Sequence, residues 1–266
     1  MNVFSREMKA SVKSLLIWTV GILLMVWSGM AKYSTLSESS DAVGELMADL
    51  PKAMQAILGI GSLDLSTAMG YFGMLYLYLL VMAAIHSSML GANMMAKEER
   101  DKTAEFLLVK PISRARLLAV KLTAAIVLVL LFNAAMTASS FLFVVPYTDG
   151  GASAIASDMF RLMLGMLLAQ LLFLSIGMAI ASAGRRPKRA VAISAAVMMA
   201  TFLLSIGMDL GDGLDALGYF TPFKYFEASM LLTDGFDPVY VALSAAVSAI
   251  SLAIAFAGYT RRDMQL

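Results

Sequence analysis

Hydrophobic residues dominate the chain in long stretches that contain no Asp, Glu, Lys or Arg. The stretches are approximately 14–31, 65–96, 122–148, 162–184, 190–208 and 238–260. About 20 mostly apolar residues cross the hydrocarbon of a bilayer as a helix, and every backbone polar group must find its partner within such a segment. The pattern therefore predicts an all-α membrane protein with six spans, in which residues 1–266 form a single transmembrane domain.

A short amphipathic segment precedes the first span. In residues 1–13, "MNVFSREMKASVK", the apolar residues fall on one helical face and the basic residues fall elsewhere. This pattern predicts an interfacial helix on the cytoplasmic leaflet. The first span has about 18 apolar residues, more than the usual core of a cleaved signal peptide. We interpret it as a retained span. The alternative is a cleaved signal peptide, for which "SGMAKY" is a weak candidate cleavage site.

Composition supports the bilayer as solvent. The chain is 60% hydrophobic, and its 15% of charged residues compares with about a quarter in soluble proteins. The net charge of +1 gives no reason to expect nucleic acid or a strongly acidic partner. Since the chain has no Cys, disulfides and thiolate metal sites are excluded.

The distribution of Lys and Arg predicts the orientation. Sixteen of the 20 basic residues lie in the N-terminal segment, in the second and fourth connections and in the C-terminal tail, whereas four lie on the opposite side. Cytoplasmic loops carry the excess of Lys and Arg. We therefore expect both termini in the cytoplasm.

Few polar side chains fall inside the spans. His86, Asn133 and Gln170 are expected to be structural groups that hydrogen-bond between helices, since neither Cys nor a second His is present to complete a metal site. A stripe of methionines suggests a flexible apolar lining that suits several amphiphiles, rather than a copper site. The stripe consists of Met159, Met163 and Met166.

The densest cluster of charges is "KEERDKTAEFLLVKPISR", Lys97 to Arg114. Residues 97–109 contain good helix formers and no Gly or Pro, and Pro111 then stops the helix. The pattern predicts a short cytoplasmic helix between spans two and three, with a charged start and an apolar end. Such a helix suits docking onto a soluble partner, and a solvated loop is the alternative.

The sequence resembles, on these residues, the permease subunits of ATP-binding cassette (ABC) transporters of the second bacterial export type. "EERDKTAEFLLVKPISRARLLAVK" is similar to the signature cytoplasmic segment of that family. "GYFTPFKYFEASMLLTDGFDP" resembles the outer loop before the last span, and "GYTRRDMQL" resembles the ending. The resemblance covers nearly the whole chain. One departure is Lys102, where many members have Gly, and it favours a continuous helix over a sharp turn.

The resemblance implies that the charged segment is a coupling helix, which sits in a cleft of a separate cytoplasmic ATPase subunit. The coupling residues that it implies are Glu98, Glu99, Asp101, Lys102, Thr103, Glu105, Phe106, Leu107, Leu108, Pro111, Ser113 and Arg114. It implies no cofactor on this chain, because ATP and Mg are bound by the partner ATPase. It also implies a second permease, either a homodimer or a paralogue, in a bacterial cell membrane.

The chain is not expected to be an enzyme by itself. It contains no G-x-x-x-x-G-K-[ST] loop to cradle phosphates. An ion-coupled secondary transporter would be expected to carry carboxylates inside its spans, and the apolar stretches contain none. An intramembrane enzyme lacks a credible set of catalytic residues.

The substrate and the protomer contact are open at the level of sequence. The family is associated with drugs, peptides, lipids and ions. The apolar spans favour an amphiphile, drug or peptide as substrate, and the resemblance implies outward movement. ABC-type ion extrusion is the alternative. The fifth and sixth spans are rich in small residues, which pack neighbouring helices or form a protomer interface. The family places its contact along spans that include the second and fifth, where small residues allow close approach: Ala192, Ala195, Ala196 and Ala200.

Overall fold

The computed structural model describes residues 3–36, 50–60, 63–101, 113–184, 187–210 and 215–261. Long helices account for most of these residues, and no strand occurs among them. The helices are α1 (Val3–Leu36), α2 (Lys52–Leu58), α3 (Ala68–Arg100), α4 (Arg114–Val144), α5 (Gly151–Ala183), α6 (Pro187–Leu210), α7 (Pro222–Tyr225), α8 (Ala228–Thr233) and α9 (Pro238–Arg261).

Six of these helices, α1, α3, α4, α5, α6 and α9, are long and apolar enough to cross a membrane. The predicted all-α architecture with six spans is therefore confirmed. Side-chain oxygens cap the N-termini of two helices. Thr67 Oγ1 accepts a hydrogen bond from the backbone N–H of Gly70 at the start of α3. Ser113 Oγ accepts one from the backbone N–H of Arg116 at the start of α4. Such N-caps satisfy amides that have no partner inside the helix.

The spans are longer than the charge-free stretches suggested. The helix predicted for residues 1–13 is continuous with the first span, so the two predicted segments are one helix of 34 residues. Helix α4 begins eight residues before the predicted 122, and α5 begins eleven before the predicted 162. Charged side chains end an apolar run without ending a helix, since the backbone continues to hydrogen-bond wherever good helix formers follow.

Helices α3 and α5 form the centre of the bundle and are its two most buried spans. Their backbones meet at two glycines. A Cβ on Gly91 would lie 2.2 Å from the carbonyl oxygen of Leu174, and a Cβ on Gly177 would lie 2.2 Å from that of Ser88. The Ser88 and Ser194 hydroxyls, 2.5 Å apart, join α6 to this contact. Small residues thus permit the close approach on which helix association in membranes depends.

Two of the three polar groups that were predicted to join helices do so. The amide of Asn133 donates to the Met163 carbonyl at 3.2 Å, and that of Gln170 donates to the sulfur of Met136 at 3.7 Å. His86 packs between the rings of Trp18 and Phe132, with centroids 5.7 and 4.2 Å away. Its expected hydrogen bond is missing, because Nδ1 has no partner among the described residues.

The methionine stripe, which was expected to form a flexible apolar lining, is buried in the core. Met159, Met163 and Met166 are all buried in the main hydrophobic core. In this structure they are packing residues inside one protomer and do not form an accessible lining. The flexible thioether fills irregular gaps between helices.

The two ends of the bundle differ in charge. We call the end that holds the start of α1, the end of α3 and the start of α4 the basic end, and the other the opposite end. At the opposite end the Tyr33 hydroxyl donates to the Ser66 carbonyl at 2.8 Å. The aromatic cluster before α9 also lies there. It divides into buried rings, such as Phe223 and Phe226, and exposed rings, such as Phe220.

Candidate functional site

Five charged side chains meet at the basic end and form what we call the junction. They are Arg6 and Glu7 of α1, Lys97 and Glu98 of α3, and Lys121 of α4. The junction joins residues that are up to 92 positions apart in sequence. It lies where α3 ends and α4 begins, at the base of the charged segment that is predicted to dock onto a soluble partner.

Lys121 is the innermost member of the junction. Its side chain is 0% exposed. The ammonium donates to the Met94 carbonyl at 2.7 Å and to Glu98 Oε2 at 2.5 Å. It also lies 6.0 Å from the centroid of the Tyr259 ring, which belongs to α9. Lys121 thus connects three helices at one point.

The two carboxylates extend the junction to α1. Glu98 accepts from the Arg6 guanidinium through Oε1 at 3.0 Å, while its other oxygen accepts from Lys121. Glu7 accepts from Arg6 at 3.0 Å and from the Lys97 ammonium. The Glu7 side chain is 0% exposed and that of Glu98 is 7% exposed. Every carboxylate oxygen in the junction therefore has a charged partner.

The charges of the junction nearly balance. Three cations face two carboxylates, and the Met94 carbonyl oxygen takes part of the excess positive charge. Burying ions costs several kcal/mol each unless they are paired and hydrogen-bonded, and removing one partner typically costs about 3–5 kcal/mol. The arrangement is therefore stable only while α1, α3 and α4 keep their relative positions, which suits it to hold the base of a hairpin.

The start of α4 is fixed by two further contacts. Ser113 caps the helix through the amide of Arg116 at 3.3 Å, and a guanidinium nitrogen of Arg114 lies 3.5 Å from the Thr260 carbonyl of α9. Ser113 is thus the N-cap of α4. On the other helix of the pair, α3 ends next to Asp101, whose backbone N–H donates to the Lys97 carbonyl at 2.8 Å.

The predicted coupling residues fall into four groups. Glu98 is buried and points into the junction, where it accepts from Arg6 and Lys121. Glu99 is half-buried and Asp101 is exposed. Ser113 and Arg114 lie at the start of α4. Seven more lie outside the described residues: Lys102, Thr103, Glu105, Phe106, Leu107, Leu108 and Pro111. The four residues 97–100 form the last turn of α3, so a separate helix does not begin at Lys97.

Sequence reasoning missed Glu7 and Lys121 as members of a site. A signal for Lys121 is present, because the positions three and four residues away on either side are apolar and buried. These positions are Leu117, Leu118, Ala124 and Ala125. A lysine in the middle of an apolar helical face needs a buried acidic partner. Glu7 carries a weaker signal, since only Val3 and Phe4 accompany it.

A smaller ionic group lies at the opposite end. The Lys224 ammonium contacts Asp209 at 2.5 Å and Glu227 at 2.7 Å, and its side chain is 16% exposed. Burial alone would lower the pKa of Lys224. The attraction of Glu227 and the hydrogen bonds to both carboxylates outweigh burial and hold that pKa above its usual value.

Comparison with known families identifies the chain. A family model described as ABC-2 family transporter protein matches residues 1–264. The chain therefore belongs to the ABC-2 transporter family, whose members are membrane transport components and not enzymes themselves. Membership implies an ATPase partner and, typically, a dimer of permeases. No curated protein matches the chain.

Proposed function

We propose that the chain is the permease of an ABC exporter, which moves an amphiphile, drug or peptide outward with energy from a separate cytoplasmic ATPase. Family membership supports the permease role. ATP and Mg would be bound by the partner, since the chain has no phosphate loop in its sequence. The basic end would face the cytoplasm of a bacterial cell, because it carries most of the Lys and Arg residues.

The junction is the observation that carries this proposal. Residues 102–112 connect α3 to α4. At the base of this segment, ion pairs join α3 to α1 through Arg6 and Glu98, and join α3 to α4 through Glu98 and Lys121. A displacement of the segment by an ATPase would therefore move α1, α3 and α4 together, because separating them would leave buried charges unpaired.

The docking contacts would come from the residues beyond the junction. Glu99, Asp101 and Glu105 would pair with basic groups of the ATPase, and Phe106 to Leu108 would fill an apolar slot. Charged flanks fix the register of a docked helix. Glu98 would act indirectly, as a positioning residue that holds the segment's base.

An experiment with the reconstituted complex tests the docking role. Truncating a central interface residue typically costs about 2 kcal/mol or more, so Glu105→Ala and Leu107→Asp should reduce copurification of the ATPase and abolish substrate-stimulated hydrolysis. Asp234→Ala removes a charge at the opposite end, where the side chain is exposed, and should change neither. Wild-type binding and hydrolysis in both docking variants would show that this segment is not the coupling element.

A second permease would contact α6. The inner face of this helix is buried, as Ser194 and Met198 show, while its outer face exposes small and apolar side chains. The exposed residues include Ala192, Ala196, Ala200, Ile193 and Val197. Small residues permit close helix approach, so this face would meet its counterpart in a dimer.

Bulk on this face tests the dimer. Ala196→Trp should lower the dimer fraction on native gels by preventing close approach of the helices. Ala253→Trp is the matched control, because Ala253 is exposed on α9, away from the proposed face. Equal dimer fractions in both variants and the wild type, at normal expression, would show that the contact between permeases lies on another helix.

A further inference from the structure

A cavity of about 310 Å³ opens between α1, α3 and α6 on the basic half of the bundle. Its volume lies within the range of small-molecule sites, roughly 300–1,000 Å³. Helix α1 contributes Ser11, Ser14 and Trp18 to the wall, and α3 contributes His86, Asn93 and Arg100. Lys188 and Val191 of α6 form the other side.

The wall of the cavity changes from charged to apolar with depth. Arg100 lies in the last turn of α3, and Lys188 lies in the first turn of α6. His86 is 14 residues before Arg100, which places it about 21 Å deeper along the helix axis. Trp18, Leu15 and Leu128 line the cavity in that deeper part. The cavity thus has a cationic mouth and a mainly apolar floor.

The charged residues at the mouth are both cations. The side-chain oxygen of Asn93 accepts from a guanidinium nitrogen of Arg100 at 2.9 Å, and the Asp101 carboxylate forms an ion pair with Nε of Arg100 at 3.0 Å. Asp101 therefore offsets part of the charge of Arg100. Lys188 is exposed and makes no ion pair or hydrogen bond with the described residues. Among the described residues, no carboxylate lines the cavity. A cationic mouth of this kind attracts an anion through charge-assisted hydrogen bonds.

His86, which lines the floor of the cavity, has a buried polar atom without a partner in the described part of the chain. His86 is 4% exposed, and its Nδ1 has no hydrogen-bond partner among the described residues. Buried polar atoms without partners need an explanation, and a further molecule that binds beside them is one. A ligand that reaches this depth can pack on the Trp18 ring and approach the imidazole.

We propose that this cavity binds an anionic amphiphile, with a phosphate or carboxylate head between Arg100 and Lys188 and an apolar chain directed along Trp18 towards His86. Serine hydroxyls at positions 11 and 14 offer further donors near the head. The head could belong to a phospholipid of the bilayer or to a single-chain molecule that is carried. The proposal concerns binding by the permease alone and is independent of ATPase docking.

The chain provides its own reporter for a binding test. It has two tryptophans, of which Trp18 lines the cavity and Trp27 is 55% exposed on the same helix. A Trp27→Phe background leaves Trp18 as the only fluorophore, and a Trp18→Phe background leaves Trp27 as the control. The probes are phosphatidylglycerol and phosphatidylcholine with the same brominated chains, added to the purified permease in a neutral detergent.

Brominated phosphatidylglycerol should quench Trp18 at a roughly tenfold lower mole fraction than brominated phosphatidylcholine, since its anionic head can form charge-assisted hydrogen bonds with the basic residues at the mouth. Trp27 should not distinguish the lipids. Lys188→Gln should remove most of the tenfold preference, and adding Arg100→Gln should remove the rest. Arg189→Gln is the matched control, because Arg189 is an exposed neighbour that does not line the cavity.

Two competition arms identify the source of the head. If dodecyl phosphate displaces the brominated lipid, the site takes a single-chain ligand. If only unlabelled phosphatidylglycerol displaces it, the site takes a bilayer lipid. Both outcomes support the site. Inorganic phosphate should not displace the brominated lipid, because it has no apolar chain. Equal quenching of Trp18 by the two brominated lipids, or an equal loss of preference in Arg189→Gln and Lys188→Gln, would overturn the proposal.

Discussion

Both ends of the bundle contain lysines paired with carboxylates, but the two groups are built differently. The junction at the basic end joins helices that are far apart in sequence, through contacts between residues 23 to 92 positions apart. The group at the opposite end joins Lys224 to carboxylates 15 and three positions away. The first therefore depends on the whole bundle, whereas the second forms largely within one connection.

Burial separates the two groups further. Lys121 is 0% exposed, while Lys224 is 16% exposed and its carboxylate partners are about one-third exposed, at 35% and 37%. Water can replace a lost partner at the opposite end but not inside the junction. An ion pair at the protein surface contributes about 0–1 kcal/mol, and breaking a buried one costs several times more. The comparison teaches that an ion pair positions a helix only when water is excluded.

The largest expected effect follows from removing the two lysines separately. Lys121→Met should lower the free energy of unfolding by about 3–5 kcal/mol, because Glu98 stays buried with one partner fewer. Lys224→Met should lower it by about 1 kcal/mol or less. Unfolding in mixed micelles with increasing dodecyl sulfate measures both. Equal losses would remove the distinction between the two ends.

A double-mutant cycle should sharpen the comparison. Glu98→Gln combined with Lys121→Met should lose less stability than the sum of the single changes, with a coupling of about 1–3 kcal/mol. The corresponding cycle with Glu227→Gln and Lys224→Met should give about 0.5 kcal/mol or less. Additive losses at residues 98 and 121 would mean that their contact contributes little.

Salt should act on one end only. Raising ionic strength from about 0.1 M to 1 M shortens the Debye length from about 10 Å to 3 Å and screens accessible charges. The stability difference between wild type and Lys224→Met should shrink by a few tenths of a kcal/mol, whereas the difference for Lys121→Met should stay constant. A decrease of both differences would show that water reaches the junction.

The smallest expected effect is a dependence on pH at the opposite end. Because the folded pKa of Lys224 lies above the usual 10.5, its ion pairs contribute in full below about that pH and are lost as pH rises through the folded value. The stability difference between wild type and Lys224→Met should therefore be constant from neutral pH to about 10 and fall above it. A fall already near neutral pH would contradict the raised pKa.

Some details of the site were accessible from sequence and others were not. Ser113 lies at the N-cap of α4, and a serine before a helical run is an N-cap signal that the sequence contains. Glu98 was expected to face a partner protein, yet it faces Lys121. Charge and helical propensity show that a residue lies near the surface of the membrane, but they do not show which side of the helix meets a neighbour.

The fold shows the same division. The six spans follow from hydrophobicity alone, because an apolar segment of that length in a bilayer has no alternative to a helix. The continuity of α1 across residue 13 did not follow, since the change from charged to apolar residues marks a membrane boundary and not the end of a helix.

By itself, the sequence determined the helical class, the number of spans and the family, because these depend on the length and composition of continuous segments. The tertiary structure decided which residues meet: the glycine contact of α3 with α5, and the buried junction of Glu7, Glu98 and Lys121. These contacts depend on the rotation and relative depth of several helices at once. One-dimensional periodicity leaves those quantities open, and packing between distant segments sets them.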